Sequence, residues 1–446
     1  MRISFLQIVC WIFIVNTQIA VSQDDLHPNR FRSPDNPHYW KNKKPYEGYW
    51  QQDVHYFIKA ELDEQRNILT GTETLTYWNN SPDTLHDAYF HLYSNCFLPG
   101  SYWDRFENQF RRQNTFGKYA SRGLGIIIQK VSVNGKSLKA EIDNTIMKVH
   151  LEKPLLPGDS IIFTIPFKNH IDEKGSNARM FYFKDYGYRH YHIAHWYPRI
   201  CVYDMRKGWH TAQHMVHEFY GDFGTYDVEL TFANNMIVEA TGEMINREEV
   251  MPPALREKLD ASNFQEKPFG EPPSVIIPFD STRHKTWRFH AENVIDFMFM
   301  AGPNYRIDEA EWNGIKIISL DRESHLAGRK DIAAMGARII KMFSSRVGEY
   351  PYSKMVLGDA NMNMEYPMIT MNAGFVPFTY YIMTHEIAHN WFYGMVASNE
   401  TYAPLLDEGF TQFLTIWASE IINKDTALFP PEGTRYEKKH RKVFPV

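Results

Sequence analysis

The chain is poor in cysteine, with three in 446 residues, and neither sign of charge is in strong excess. So few cysteines exclude a disulfide-stabilised scaffold. Cys10 lies in the apolar first segment, and the sequence does not decide whether Cys96 and Cys201 pair. A net charge of -5, without a block of like charge or an internal repeat, gives no basis for nucleic-acid binding. The apolar content of 43% and aromatic content of 15% indicate two or three folded domains.

The longest apolar run, from Phe5 to Val15, is too short to span a bilayer. Arg2 precedes it and small residues follow at Ala20-Val21-Ser22, which is typical of a secretory signal peptide over residues 1–22. We therefore expect an exported protein, periplasmic or extracellular, with no membrane span after the signal is cleaved. Retention of this segment as a membrane anchor is the alternative.

The segment His385-Glu386-Ile387-Ala388-His389 is compatible with a helix and contains two histidines four residues apart. Residues at this spacing lie on one helix face, so both imidazoles can bind one ion with Glu386 beside it. Glu408 follows the second histidine after eighteen intervening residues. Two histidines and one carboxylate, with a fourth position left for water, form a known ligand set of catalytic zinc. We predict that His385, His389 and Glu408 bind one Zn²⁺ ion.

Glu408 opens a second segment with a helical pattern. Its apolar residues at helical spacing are Phe410, Phe413, Leu414, Trp417 and Ile421. Two helices joined by a turn pack side by side, which would bring Glu408 back to the histidines. The alternative is a buried histidine pair beside an ordinary surface glutamate. Asp407, Asn390 and Glu400 are candidate hydrogen-bond partners for the other ring nitrogens of the ligating histidines.

This pattern resembles the aminopeptidase N and leukotriene A4 hydrolase family of zinc metallopeptidases, whose signature is HExxH, eighteen residues and a glutamate. Residues His385 to Phe413 match it throughout. Met364-Glu365-Tyr366-Pro367 also resembles the family's Gly-Ala-Met-Glu-Asn motif, although Met362-Asn363 replaces Gly-Ala and Tyr366 replaces Asn. The resemblance implies that Glu365 binds the free α-ammonium of a peptide substrate through charge-assisted hydrogen bonds. The alternative is an acidic residue on an exposed strand.

The chemistry that the resemblance implies is metal-assisted peptide hydrolysis, with Glu386 as general base. The family's oxyanion donor is a tyrosine well downstream of the third ligand, whereas Val446 is 38 residues beyond Glu408. We therefore expect the catalytic domain to be incomplete at its C-terminus, without the helical region that closes the family's cleft. Tyr436 is a poor substitute because its charged surroundings are typical of a solvated face or linker.

The expected fold is α+β and multidomain. A signal peptide over 1–22 and an extended lead-in over 23–45 would precede a saddle-like N-terminal β domain over 46–304. A Pro-rich surface insertion would interrupt that domain at about 251–273. The resemblance implies a thermolysin-like zinc catalytic domain over 305–446.

Several shorter patterns predict individual elements. Alternation over 56–78 predicts a hairpin, and Asn134-Gly135 predicts a tight turn between two strands. Apolar spacing predicts a helix over 330–347. Two strands, 354–359 and 364–370, would follow, and the second would form the sheet edge along which substrate lies.

Two histidine-rich pieces, His190 to His195 and His210 to His217, invite a second metal site. No carboxylate or cysteine completes a ligand set in either, so polar strand faces are the favoured interpretation.

Two functional classes follow from these patterns. The first is a zinc aminopeptidase that acts on peptides with a free N-terminus. The second is a metal-binding scaffold with weak or no activity that holds peptides or a partner protein, as the altered Met362-Asn363 pair and the absent tyrosine suggest. A zinc-dependent epoxide hydrolase, suggested by one branch of the family, is a third possibility.

Overall fold

The computed structural model describes residues 32–110, 114–173, 179–268 and 270–423. The predicted signal peptide, the start of the lead-in and Tyr436 lie outside these residues. Within the described ranges, every helix is too short or too polar to cross a membrane.

The regular structure of the chain up to residue 302 is mainly β-strand. The first strands are β1 (Asp53–Asp63), β2 (Ile68–Trp78), β3 (Leu85–His91), β4 (Ile126–Ile128), β5 (Ser132–Val133), β6 (Lys136–Ser137), β7 (Ala140–Asp143), β8 (Ile146–Leu155), β9 (Ser160–His170) and β10 (Asp172–Glu173). The next are β11 (Met180–Asp185), β12 (Tyr188–Ile193), β13 (Arg199–Ile200), β14 (Tyr203–Asp204), β15 (Gly208–Trp209), β16 (Gly224–Ala233), β17 (Ile237–Ala240), β18 (Glu243–Met244), β19 (His284–Val294) and β20 (Phe299–Gly302).

Nine of these strands form one large sheet in the order β18-β19-β16-β1-β2-β9-β5-β6, with β4 added to β9. β1 and β2 are the antiparallel hairpin that the sequence predicts, and β1 also pairs in parallel with β16. The turn predicted at Asn134-Gly135 is confirmed. It joins β5 to β6, and its two residues have left-handed φ angles of 50° and 77°.

Two smaller sheets pack with the large one, in the orders β10-β11-β12-β20-β17 and β13-β3-β8-β7, while β14 pairs with β15. Their shared core contains the fully buried Trp196 and Trp287. The first histidine-rich piece, His190 to His195, lies largely in β12, which agrees with its interpretation as a strand. His190 and His192 do not face solvent, however, because β12 lies between β11 and β20 and both side chains are fully buried.

A separate five-stranded sheet follows. Its strands are β21 (Tyr305–Trp312), β22 (Ile315–Arg322), β23 (Lys354–Asp359), β24 (Met364–Tyr366) and β25 (Ile369–Asn372). They are ordered β21-β22-β23-β25-β24, so β24 lies at the edge, as predicted for the Glu365 strand. The prediction of one continuous strand over 364–370 is wrong. Pro367 cannot donate a ladder hydrogen bond and Met368 has a φ of 63°, so the chain turns back and forms the β24–β25 hairpin.

Six α-helices lie in the described ranges. They are α1 (Tyr102–Gln109), α2 (Arg247–Val250), α3 (Pro253–Leu259), α4 (Ile332–Arg346), α5 (Phe378–His389) and α6 (Phe410–Asn423). α4 confirms the helix predicted over 330–347. The Pro-rich insertion contains α3, and Leu259 and Ala261 are buried where this piece meets β21. The insertion therefore packs on the five-stranded sheet, although in sequence it lies between two strands of the β-rich part.

Helix α6 packs against α5 and α4, but only part of the face that its apolar spacing predicts is buried. Its buried side chains include Thr411, Leu414 and Ala418, whereas Phe410 and Phe413 are 49% and 63% exposed. The buried stripe is thus made of smaller side chains. The two phenylalanines lie on the outer face.

Candidate metal centre

Helix α5 carries both histidines of the predicted metal site. It is followed by a π-helical turn over Asn390–Gly394, and its buried side chains include Met383 and Ile387. The four-residue spacing places the two imidazoles side by side, with 3.1 Å between the Nε2 atoms of His385 and His389. His389 is buried, while the His385 side chain is 19% exposed.

Glu408 reaches the same point from a second π-helical turn, Leu405–Gly409, which leads into α6. Its Oε2 atom is 3.4 Å from Nε2 of His385 and 3.9 Å from Nε2 of His389. Ligand atoms about 2.1 Å from a tetrahedral zinc ion are separated by roughly 3.4 Å. The three side chains therefore form a triangle of the size that zinc requires. A hydrogen bond from His385 lowers the pKa of Glu408 and keeps it anionic.

Asp407 supports this triangle from behind. Its Oδ2 atom lies 2.6 Å from Nδ1 of His389, and both side chains are 1% exposed. Burial opposes the charged form of His389, but the Asp407 carboxylate outweighs it and raises the histidine pKa. Of the other outer candidates, Asn390 accepts a hydrogen bond from the Met368 N–H instead, and Glu400 lies in a different cluster.

Glu386 lies beside the triangle and is 5% exposed. One of its carboxylate oxygens is within 4.8 Å of ligand atoms of both His389 and Glu365. Burial raises its pKa to about 8, helped by the negative charges of Glu408 and Glu218, while His389 acts in the opposite direction. A carboxylate in such surroundings is a good proton acceptor.

Glu365 occupies the edge strand β24, but its side chain is only 4% exposed. The alternative of an acidic residue on an exposed strand therefore does not fit. Its Oε1 atom has no hydrogen-bond partner among the described residues. Burial and the neighbouring Glu218 raise the pKa of Glu365 well above its ordinary value.

The structure adds Glu218 and Arg179, which no sequence pattern placed here, and it groups Glu400 with them. Carboxylate oxygens of Glu218, Glu365 and Glu400 lie within 4.8 Å of one another. Arg179 donates to Glu218 at 2.6 Å and lies 4.0 Å from Glu365. These residues come from distant parts of the chain and share no motif, so no local signal would have joined them.

Comparison with known proteins agrees with this architecture. Neither a family model nor a curated protein sequence matches the chain. Among solved structures, the M1 zinc metallopeptidase from Deinococcus radiodurans superimposes with a TM-score of 0.56 and 16% identity, over 90% of this chain and 77% of that chain. A mutant of that enzyme bound to a Tyr-Ser-Ala substrate gives 0.51 and 15%, over 85% and 73%. The chain thus has the mixed, sheet-rich fold of two-domain M1 zinc metallopeptidases.

Proposed function

We propose that this protein is a zinc-dependent aminopeptidase that removes N-terminal residues from peptides. The observation that carries the proposal is the triangle of His385, His389 and Glu408, with separations of 3.1 to 3.9 Å and the buried Glu386 beside it. When bound, Zn²⁺ supplies Lewis acidity to the scissile carbonyl and makes a water molecule acidic enough to lose a proton near neutral pH.

Glu386 has the position of a general base. It would take the proton from the attacking water and pass it to the leaving amine, which needs a carboxylate within reach of both. Its burial, which raises its pKa to about 8, favours a group that can both accept and return a proton.

Glu365 and the edge strand support the choice of an aminopeptidase. β24 pairs with β25 on one side only, so its other side offers backbone groups to an extended peptide. A peptide lying there would bring its N-terminus to the buried carboxylate of Glu365. The likeness to an enzyme solved with a Tyr-Ser-Ala substrate supports a peptide as the ligand class.

The domain division and the location of the protein belong to the same proposal. The end of β20 at Gly302 and the start of a separate sheet at Tyr305 support a β domain over 46–304 and a catalytic domain over 305–446. The signal-like segment over 1–22 supports export to the periplasm or the extracellular space.

Hydrolysis of aminoacyl-amide reporters by zinc-loaded protein tests the proposal. Glu386→Gln removes the base without touching a ligand, so kcat should fall by about 10² to 10⁴ while the zinc content is unchanged. N-acetylated reporters should be cleaved much more slowly than free ones. Zinc binding without any turnover would reject the enzyme and support the peptide-holding scaffold. Equal cleavage of acetylated and free reporters would remove the role of Glu365.

A further inference from the structure

A cavity of about 240 Å³ shares no lining residue with the metal centre. Its walls come from the segment before β1, from β14, from the connection between β15 and β16, and from the residues that follow the π-helical turn at Asn390–Gly394. Tyr46, Met205 and Val396 line it, and each is more than half exposed. The cavity therefore opens to solvent, and a ligand of side-chain size can enter it.

The walls are rich in aromatic rings, and contacts with one another and with the chain hold these rings in place. They are Tyr46, Tyr49, Trp50, Tyr203 and Tyr220. Trp50 stacks on Tyr203 with centroids 5.9 Å apart, and Tyr46 meets Tyr49 edge-on at 5.3 Å. The Tyr203 hydroxyl donates to Asp83 at 2.8 Å. Aromatic faces attract cations through their negative ring density.

Asp222 adds a carboxyl group to the same lining. Its Oδ2 atom is buried and has no hydrogen-bond partner among the described residues. Burial, with the negative charges of Asp53 and Asp204, raises the pKa of Asp222 well above its ordinary value, whereas Arg199 acts in the opposite direction. This position therefore lacks an N–H donor and a positive charge, and a cation that carries N–H groups would supply both.

Asp204, the other acidic residue in the lining, already has partners for both oxygens. Its Oδ1 atom accepts from the backbone N–H groups of Arg206 and Lys207 at 2.9 and 2.8 Å, and its Oδ2 atom lies 2.6 Å from Nε2 of His210. One available carboxylate among aromatic rings does not provide the roughly six oxygens that a hard divalent ion needs. Arg206 also lines the cavity, but it is exposed, so solvent screens its charge.

We propose that this cavity binds the guanidinium group of an arginine side chain. A guanidinium is planar and stacks on aromatic rings, while its fork of N–H groups matches the geometry of a carboxylate. Beside the rings, it would donate to Asp222. The ammonium of lysine is more strongly hydrated and therefore loses more on entering an aromatic site. This binding function is separate from zinc-dependent hydrolysis and does not rest on it.

Titration calorimetry with N-acetyl-arginine methylamide tests the site. Its amine is blocked, so it offers no free N-terminus to the metal centre, and N-acetyl-citrulline methylamide is its uncharged isostere. The arginine probe should bind about tenfold tighter or more, the gain expected for hydrogen bonds to a charged group. Asp222→Asn should abolish this difference. Tyr46→Leu, at an exposed position where a fold defect is not expected, should weaken the arginine probe about two- to fivefold.

Two further probes identify the ligand. N-acetyl-lysine methylamide should bind more weakly than the arginine probe, and tighter binding would reject a guanidinium site. Free arginine distinguishes the source of the group. If free arginine binds in a manner that depends on Asp222 while the blocked probe does not bind, the site takes the free amino acid and not an arginine within a chain.

A matched control is Glu73→Gln. Glu73 is fully buried and both of its oxygens are unpartnered among the described residues, but it lies in β2 and does not line the cavity. This variant should leave the affinity for the arginine probe unchanged, as should Glu386→Gln. Equal binding of the arginine and citrulline probes to the wild-type protein would reject the site, and so would an equal loss of both in Asp222→Asn. Arginine binding that depends on Asp222 in a protein without peptidase activity would leave this site standing while the peptidase proposal fails.

Discussion

The Asp407 carboxylate lies 2.6 Å from Nδ1 of His389, on the side of the ring away from Nε2, which faces His385. Such a partner fixes the tautomer and orientation of a ligating histidine. We therefore expect Asp407→Asn to lower zinc affinity by about 10- to 100-fold, measured by competition with a chelator.

Thr415 gives the matched comparison, because its hydroxyl is 3.4 Å from Nδ1 of His385, a longer and uncharged contact. Thr415→Val should lower zinc affinity much less than Asp407→Asn. Equal losses in the two variants would contradict a specific role for Asp407.

The carboxylates of Glu218, Glu365 and Glu400 form an acidic cluster. Arg179 is the one Lys or Arg that forms an ion pair with this cluster in the described chain. Its removal leaves Glu218 and Glu365 facing each other without their shared partner, and breaking a buried pair from one side costs roughly 3 kcal/mol. Arg179→Met should lower the free energy of unfolding by about that amount, measured with denaturant.

The double variant Arg179→Met with Glu218→Gln tests the same contact. It should lose less than the sum of the two single variants, because the uncompensated charge is removed as well. Simple additivity would mean that the 2.6 Å contact does not stabilise the fold.

Glu73 is expected to destabilise the protein at neutral and higher pH. It is fully buried in β2, opposite Ile58 and Ile165 on the neighbouring strands, and burial raises its pKa well above the ordinary value. The folded state therefore holds a proton that the unfolded state releases as pH rises above about 4.5. Stability from this group falls as pH increases from there towards the folded pKa.

Glu73→Met should raise the free energy of unfolding by about 1 to 3 kcal/mol at pH 8 and by less at pH 5. Denaturant unfolding at the two pH values measures the difference. A gain of the same size at both would show that Glu73 does not change its protonation on folding.

The cysteines should be inert in the native protein. Cys96 and Cys201 are unpaired and fully buried, and burial raises the pKa of both thiols. In a Cys10→Ser background, an aromatic disulfide reagent should modify neither until the protein unfolds. A reductant should leave the unfolding midpoint unchanged. A midpoint that falls with reductant would indicate a disulfide.

The proximity of His385, His389 and Glu408 was predictable because local rules determine it. The spacing of His385 and His389 places them on one face of any α-helix. Glu408 opens a second helix, and two helices joined by a short connection pack side by side. Asp407 was a candidate partner for a different reason: a ligating histidine usually donates its other ring nitrogen to a carboxylate or a carbonyl.

The face of α6 that is buried was not predictable from its own periodicity. Phe410 and Phe413 fit a helical stripe as well as Leu414 and Ala418 do, and the choice depends on what the neighbouring helices offer. The buried face is selected by the partner, which the local pattern does not encode.

The acidic cluster lay beyond sequence reasoning for a related cause. Glu218 is in the connection between β15 and β16, Glu365 is on an edge strand, and Glu400 is in the connection between two helices. Only the tertiary fold brings them within 4.8 Å of one another. Glu400 had been a candidate partner of a histidine, and the structure places it among carboxylates instead.

The wider turn over Leu405–Gly409 makes the metal centre depend on chain length as well as on side-chain identity. Residues of an α-helix advance by about 100° each, and a π-helical turn advances by less. Asp407 and Glu408, although adjacent, can therefore both reach His389, from opposite sides of its ring. Loss of a single residue from this turn would rotate one carboxylate away while leaving every ligand in the sequence. A protein can thus keep His385, His389 and Glu408 and still lose the metal, because the spacing between them has changed.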